Sequence, residues 1–255
     1  MKMPFRSSKW SLHKFYSRSS SLRRYLPPTA ILSRKNLKTY LARYGTVYVK
    51  PDREHMGRGV IRVWRSGGRY CLVRVKGKVV IKRTTDAVYR YIQKKNGGVR
   101  HIVQKAIPLA KVNGRRFDIR VMMMRNGSGR WEYAGMLAKV AGKGSIITNV
   151  RRGGGYAVKV GTALKQFLSK KRRKEVKKKL KRLSYRIVRR FDRYKRSWQI
   201  GLDFGVDRSG QIYLIEVNYD YPSHALFLRL KDKKYFRKIK RLAREYKARR
   251  KKRKK

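Results

Sequence analysis

Glycine-containing turns between short apolar runs are the feature that most limits the folds open to this chain. Gly67-Gly68 and Gly77 divide residues 61–81 into three runs, which predicts a three-stranded antiparallel meander. Asn126-Gly127 and Ser209-Gly210 each separate a further pair of apolar runs, and each predicts another hairpin. An antiparallel sheet buries one face under other elements. The pattern therefore predicts an α+β fold with two antiparallel sheets that each carry helices.

Three helices are predicted from capping residues and from apolar residues at three- and four-residue steps. Ser33 can cap a helix that Gly45 ends, and Thr85 can cap a second helix that Gly97-Gly98 closes. A long amphipathic helix is expected from about Thr162 to Tyr194. The face opposite its apolar stripe is almost wholly basic.

The positive charge is exceptional, because 73 Lys and Arg stand against 13 Asp and Glu and give a net charge of +60. Such a balance is typical of proteins that meet nucleic acids, anionic membranes or acidic polymers, and charge alone does not choose among them. A basic surface that serves only solubility, or residence in an acidic matrix, is the simpler alternative. A hydrophobic fraction of 41% is enough to form a core.

The two ends of the chain read as basic extensions. Residues 1–33 are rich in Ser and Arg and predict a basic N-terminal arm or a short helical extension, and residues 231–255 predict a basic helix that decays into a disordered tail. Cys71 is the single cysteine and excludes an internal disulfide. No stretch approaches 18 apolar residues and no signal peptide is visible, so we expect a soluble, cytoplasmic protein without a membrane span.

Acidic side chains concentrate in the last predicted hairpin. Asp203 lies on one strand, and Glu216 and Asn218 lie two residues apart on the next, so the pleat points the latter two to one face. Hard oxygen ligands of this kind suit Mg²⁺. Acidic residues at strand ends are otherwise merely solvated, but a chain so poor in acids makes this concentration favour a metal site.

Three further segments suggest contacts with anions. Lys50 ends a strand and is followed by a loop with Gly57 and Gly59, which could fold over phosphates, although an ordinary hairpin turn would look similar. Asp118 and Arg120 are two apart on a strand and share a face, either toward a cleft or in a structural pair. Downstream, Lys139, Asn149 and the glycines at 153–155 suggest another flexible loop that faces an anion, or a plain loop.

Taken in order, these segments resemble the ATP-grasp superfamily, and within it the YheC/YheD group of endospore-coat-associated proteins. The resemblance covers roughly residues 33–230. It implies two α+β subdomains with antiparallel sheets that sandwich ATP, here residues 34–103, with the Lys and glycine loop, and residues 104–230, with the metal site.

The resemblance also implies a role for each matched position. Lys50 is similar to the lysine that contacts ATP phosphates, and Gly57 and Gly59 to the mobile loop above them. The hinge that holds adenine corresponds to Gln104, Lys105 and Ile107, with Asp118 also among the cofactor-binding residues. Catalytic residues that meet the transferred phosphate or acyl phosphate are Arg120, Lys139 and Asn149. The magnesium ligands are Asp203, Glu216 and Asn218.

Three departures from the family pattern are visible. The loop DREHMGRG is bulky and charged, and Lys139 stands where many relatives have an arginine. The N-terminal domain that usually precedes the fold is reduced to at most 33 residues.

The activity implied is that of an ATP- and Mg²⁺-dependent ligase that joins a carboxylate to an amine or related nucleophile through an acyl phosphate. An acidic peptide or protein acceptor in spore-coat formation would explain the basic surface. The alternative is a non-catalytic polyanion- or nucleic-acid-binding protein on a degenerate ATP-grasp fold.

Overall fold

The computed structural model describes residues 8–54, 56–75, 77–94, 98–219 and 221–252. The chain divides into two compact units. The first contains the chain up to Ile107 together with Ala141–Gly154, and the second contains Pro108–Val140 and Gly155–Lys255. The sequence predicted a single boundary between these units, at residues 103 and 104. In the structure, the later segment Ala141–Gly154 also belongs to the first unit.

The first unit is built on a six-stranded antiparallel sheet with the order β1-β6-β2-β3-β4-β5. The last three strands of this order, at one edge of the sheet, confirm the predicted meander. The strands are β1 (Thr29–Ile31), β2 (Thr46–Pro51), β3 (Ile61–Ser66), β4 (Arg69–Arg74), β5 (Val80–Lys82) and β6 (His101–Lys105).

Two helices bury the apolar face of this sheet, α3 (Arg34–Tyr44) and α4 (Thr85–Lys94). Leu37 and Leu41 from α3 and Val88 and Ile92 from α4 form one core with the strands. The Ser33 hydroxyl accepts a hydrogen bond from the Asn36 amide, which confirms the predicted cap. Thr84 caps α4, because its hydroxyl accepts from the Ala87 amide, so the cap is one residue earlier than predicted. Of the glycines predicted to close α4, Gly97 lies outside the described residues.

The N-terminal segment forms the short helical extension that was one of the two alternatives, and it is not a detached arm. It forms α1 (Lys9–Ser17) and α2 (Ser20–Arg23), and β1 then pairs with β6. Asp52, which is 1% exposed, fixes α1 to the end of β2. Its carboxylate accepts from the Trp10 amide at 2.8 Å, from the Ser8 hydroxyl at 2.9 and 3.0 Å, and from Arg100. Residues that composition alone assigned to an extension therefore pair with the first sheet and pack against it.

The second unit is built on an antiparallel sheet with the order β10-β9-β8-β11-β12, and β7 adds to β8. Both predicted hairpins are confirmed, β8 with β9 and β11 with β12. The strands are β7 (Lys111–Val112), β8 (Arg115–Arg125), β9 (Trp131–Val140), β10 (Tyr156–Val158), β11 (Gln199–Val206) and β12 (Ile212–Asn218).

The predicted long helix is divided in two, α6 (Val160–Lys165) and α7 (Lys170–Phe191). The break falls at Ser169, whose hydroxyl accepts from the Arg172 amide and starts α7. Serine favours such caps over helix interiors because its hydroxyl competes for backbone donors. Gln166 holds the break in place through two hydrogen bonds to Asn113 at 2.9 Å.

Helix α8 (Lys234–Lys252) confirms the predicted C-terminal helix but also includes residues 249–252, which were predicted to be disordered; residues 253–255 lie outside the described residues. Helices α7 and α8 both pack on β8 and β9. Ile239 and Leu242 of α8 join Met122 and Met124 in one core, with Phe227 of the 3₁₀ helix Ala225–Arg229. Within the described ranges no helix is long and apolar enough to span a bilayer. The short α5 (Val150–Gly153) belongs to the first unit.

Candidate active site

A buried cluster of charged side chains crosses three neighbouring strands of the second sheet. Arg120 on β8 lies opposite Asp203 on β11, and Asp118 lies opposite Lys139 on β9. The Arg120 guanidinium donates two hydrogen bonds to the Asp203 carboxylate, from Nε to Oδ1 at 2.6 Å and from Nη2 to Oδ2 at 2.9 Å. Lys139 bridges the two carboxylates, with its Nζ 3.0 Å from Asp203 and 3.1 Å from Asp118. The structure thus pairs Asp118 with Lys139 and Arg120 with Asp203, and the charge of Asp118 also acts on Arg120.

Burial makes this cluster strongly interacting, because the side chains of Asp203, Lys139 and Arg120 are only 5%, 8% and 11% exposed. Desolvation alone would raise the pKa of Asp203, but Arg120 and Lys139 hold that pKa well below its usual range. Desolvation would likewise lower the pKa of Arg120, yet Asp203, Asp118 and Glu216 raise it above its ordinary value. Asp203 thus stays ionised at neutral pH, held by the Arg120 guanidinium and the Lys139 amine.

Glu216 and Asn218 extend the cluster to β12. Glu216 lies directly opposite Asp203, and the Asn218 amide donates to Asp203 Oδ2 at 3.3 Å. A register shift between Asp203 and Phe204 marks a bulge in the hairpin at this point. Opposed carboxylates repel each other. The hairpin therefore places the two acidic residues directly opposite each other beside the bulge.

These residues fit magnesium in part. The described cluster contains three carboxylates and two basic side chains, and the Glu216 carboxylate and Asn218 amide provide hard oxygens. Asp203, however, already accepts from Arg120, Lys139 and Asn218, so it binds a metal only by releasing one of them. The described residues contain no cluster of three or more His, Cys, Asp and Glu side chains able to hold a metal ion. The predicted triad includes an amide and stays a prediction.

Lys50 and Gln104 form the core of a second polar group, within the first sheet. Lys50 donates to the Gln104 side-chain oxygen at 2.7 Å, and Gln104 donates to the Thr29 hydroxyl at 2.8 Å. These residues stand on β2, β6 and β1, which are neighbours in the sheet. Lys105 continues β6 with its ammonium over the Tyr44 ring, and the half-buried Ile107 ends the first unit.

The glycine loop after β2 is shaped by two positive φ angles, +73° at Gly57 and +68° at Gly59. A β-carbon at Gly57 would overlap the Ile147 side chain, and one at Gly59 would overlap Pro51. Ile147 belongs to the segment Ala141–Gly154, which the Tyr48 hydroxyl also contacts through the Ile146 carbonyl at 3.2 Å. The loop therefore needs glycine for both conformation and space.

Asn149 has a structural contact in the same segment. Its side chain caps α5 by accepting from the Arg152 amide at 2.9 Å. Asn149 lies in the first unit, whereas Arg120 and Lys139 lie in the second. The structure thus brings together Arg120, Lys139, Asp118, Asp203, Glu216 and Asn218, and separately Lys50 and Gln104.

A family model described as YheC/D like ATP-grasp matches residues 3–248, nearly the whole chain. The chain belongs to the YheC/D-like ATP-grasp family. Its mixed α/β architecture with two antiparallel sheets is accordingly an ATP-grasp fold, which confirms the predicted resemblance and fold class.

One curated relative is the endospore coat-associated protein YheD of Bacillus subtilis (strain 168). It is 25% identical over 236 residues, which cover 86% of this chain and 49% of YheD. The chain therefore spans about half the length of the relative that it matches.

Two positions of this ATP-grasp chain were not singled out from sequence. Gly201 lies opposite Asn218, and a β-carbon there would come within 3.1 Å of Arg120 Nη1 and 2.9 Å of Pro222. Gly201 thus leaves room for the guanidinium to reach Asp203. A glycine inside a strand pattern is the signal that could have identified it. Thr29, the partner of Gln104, has no comparable local signal because it lies 75 residues away in sequence.

Proposed function

We propose that this protein is an ATP-dependent ligase that joins a carboxylate to an amine or a related nucleophile. The observation that supports it best is the cluster on the second sheet, where Arg120 and Lys139 are fixed by Asp203 beside Glu216 and Asn218. Buried charges with fixed partners are costly to maintain. A site that must stabilise phosphoryl charge gives them a function.

Arg120 and Lys139 would act on the transferred phosphoryl group. In phosphoryl transfer the main catalytic task is to position the reactants and stabilise the charge on the phosphoryl oxygens. Asp203 orients the Arg120 fork through two hydrogen bonds, so the guanidinium does not need to reorganise during reaction. Lys139 supplies a point charge and cannot reproduce a second bidentate fork.

In the proposed reaction, a substrate carboxylate oxygen attacks the γ-phosphorus of ATP, the bond to the bridging oxygen breaks, and ADP leaves. The nucleophile then attacks the acyl phosphate carbon, inorganic phosphate leaves, and the nucleophile loses a proton. Magnesium would be held by Glu216 and Asn218, with Asp203 if it releases a donor, and would neutralise phosphate charge. Lys50 would contact the ATP phosphates, and Gln104 would help to hold the adenine. Both residues belong to the first unit.

The proposal for the acceptor substrate rests on the net charge of this chain and on its similarity to YheD. A glutamate-rich or otherwise acidic peptide or protein would be attracted by a net charge of +60. YheD is named as endospore coat-associated, and we extend a spore association to this chain as a proposal.

The test is incubation of the full chain with ATP, Mg²⁺ and pools of amino acids or acidic peptides, with phosphate release as the readout. We expect ADP and phosphate to form only with a particular carboxylate and acceptor, and mass spectrometry to show the joined product. Absence of Mg²⁺-dependent ATP binding and of turnover with every pool would reject the ligase proposal.

Lys50→Ala is expected to weaken ATP binding about tenfold or more, because a charged hydrogen bond is worth about 1.5–3 kcal/mol. Isothermal titration calorimetry in the presence of Mg²⁺ measures the change. Lys38→Ala on the exposed side of α3 removes the same charge from the same unit and should leave the affinity within about twofold. Equal ATP affinity in both variants would reject the role of Lys50.

A second candidate function is polyanion binding, which the exposed face of α7 favours. This helix has the sequence KKRRKEVKKKLKRLSYRIVRRF, and its single acidic residue, Glu175, is paired with Arg172. Basic side chains at three- and four-residue steps give one face a continuous positive charge. Such a face binds anionic polymers through counterion release.

Replacing Lys171, Lys174 and Lys178 with glutamine is expected to flatten the salt dependence of polyanion binding. For a single-stranded oligonucleotide of about 20 nucleotides, loss of three contacts should reduce the slope of log K against log salt by about 2. Fluorescence anisotropy over a salt series measures it. A control triple variant at exposed Lys35, Lys38 and Lys78 removes the same charge from the first unit. Equal slopes in the two variants would show that net charge, not α7, governs binding.

A further inference from the structure

A pocket rich in arginine lies in the second unit, away from the charged cluster on β8, β9 and β11. Its volume is about 200 Å³, and it is lined by Arg125, Gly129, Arg196, Tyr246, Arg249 and Arg250. Three pieces of the chain build it: the turn between β8 and β9, the segment before β11, and the last turns of α8. None of the proposed nucleotide or metal residues lines it.

The four arginines of the pocket differ in how far their charge is already compensated. Arg125 is compensated, because its Nη2 lies 2.6 Å from Asp192 and its guanidinium covers the Trp131 ring at 4.3 Å. Arg249 donates only a long hydrogen bond to the Gly127 carbonyl, at 3.4 Å. The ion pairs found among the described residues include neither Arg196 nor Arg250. Within that part of the chain, the pocket therefore presents three guanidinium charges without an anionic partner.

Packing fixes the part of the arginine pocket that is formed by the turn, Arg249 and Tyr246. Gly129 has a φ of +83°, and a β-carbon there would overlap the Arg249 guanidinium, so glycine lets α8 lie close to the turn. Tyr246 stacks on Trp198 with ring centroids 5.4 Å apart and an angle of 9°. The Gly127 amide donates to Glu245 at 3.3 Å, which ties the turn to the same helix. A preformed site loses less entropy on binding.

We propose that the arginine pocket binds a phosphate group, either as the free ion or as the monoester of a small molecule. The pocket is smaller than those that enclose drug-sized ligands, which begin at about 300 Å³, so it suits a small anionic group. Planar guanidinium forks match phosphate oxygens in pairs. Three uncompensated positive charges favour a dianion over a single carboxylate. The site is independent of the proposed ligase function, since the two have no residue in common.

The experiment is a calorimetric titration of the full, ATP-free chain with inorganic phosphate and, separately, with phosphoserine and with acetate. Salt is kept near 0.15 M, because interactions between exposed charges that lie more than about 8 Å apart are then largely screened. Parallel titrations of Lys50→Ala identify any phosphate held at the proposed nucleotide site. Arg196→Gln and Arg250→Gln test the pocket, and Arg244→Gln, an exposed arginine on α8 that does not line it, is the matched control.

We expect one saturable equivalent that persists in Lys50→Ala. Arg196→Gln and Arg250→Gln should each weaken it about tenfold, and Arg244→Gln should leave it within about twofold. Tighter binding of phosphoserine would identify a monoester ligand, and tighter binding of inorganic phosphate would identify the free ion. The proposal is overturned if no saturable binding occurs, if all three arginine variants behave alike, or if acetate binds as well as phosphate.

Discussion

Glu216→Gln is expected to lower ATP-dependent turnover by about two to three orders of magnitude, the cost typical of losing one group that stabilises transition-state charge. The two side chains have nearly the same shape, but glutamine lacks the charge that a hard divalent cation prefers. Steady-state release of ADP, measured against Mg²⁺ concentration, gives the effect. A rise in the Mg²⁺ requirement together with the fall in turnover would point to a metal ligand.

Glu175→Gln is the matched control for that prediction, because it makes the same chemical change on the exposed face of α7 in the same unit. Its turnover should equal that of the wild type. Thermal unfolding of both variants checks that the fold is intact. Wild-type turnover in Glu216→Gln would remove Glu216 from the metal site while leaving the ligase proposal standing.

Asp203→Asn is expected to reduce the free energy of unfolding by about 3–5 kcal/mol, because it leaves Arg120 and Lys139 buried without their shared anion. The Arg120 fork loses a charged acceptor for two hydrogen bonds, and Lys139 keeps only Asp118. Denaturant unfolding followed by tryptophan fluorescence measures the change. The exposed pair of Arg172 and Glu175 provides the comparison, since Glu175→Gln should cost no more than about 1 kcal/mol.

The difference in unfolding free energy between the wild type and Asp203→Asn is expected to depend on pH in one direction. The pKa of Asp203 is lower in the folded state than the value of about 3.9 for an unfolded aspartate. Its stabilisation is therefore fully present above that unfolded value and is lost as the pH falls toward the folded pKa. The stability gap between wild type and Asp203→Asn should stay constant from neutral pH to about pH 5 and narrow below about pH 4. A gap that widens in acid would contradict the ion-pair assignment.

Local patterns in the sequence determined most of the elements and the pairing within hairpins. Glycine at tight turns and apolar runs of strand length specify antiparallel neighbours, because such neighbours are joined within a few residues. The spacing of Glu216 and Asn218 fixed their common face, because side chains two residues apart on a strand point to the same side. Pattern and order together were also enough to predict the ATP-grasp family, which the family model confirms.

Only the tertiary structure decided which distant segments meet. The pairing of β1 with β6, and the return of Ala141–Gly154 to the first unit, depend on contacts across long stretches of chain. The break of the predicted long helix at Ser169 depends on a cap and on Gln166, which periodicity does not register. The partners of Asp203 and the arginine pocket arise where strands and helix ends converge. The spacing of residues specifies where the chain turns and which side chains share a face of a strand or helix. Which acidic and basic side chains become buried together is decided only when those faces pack against one another.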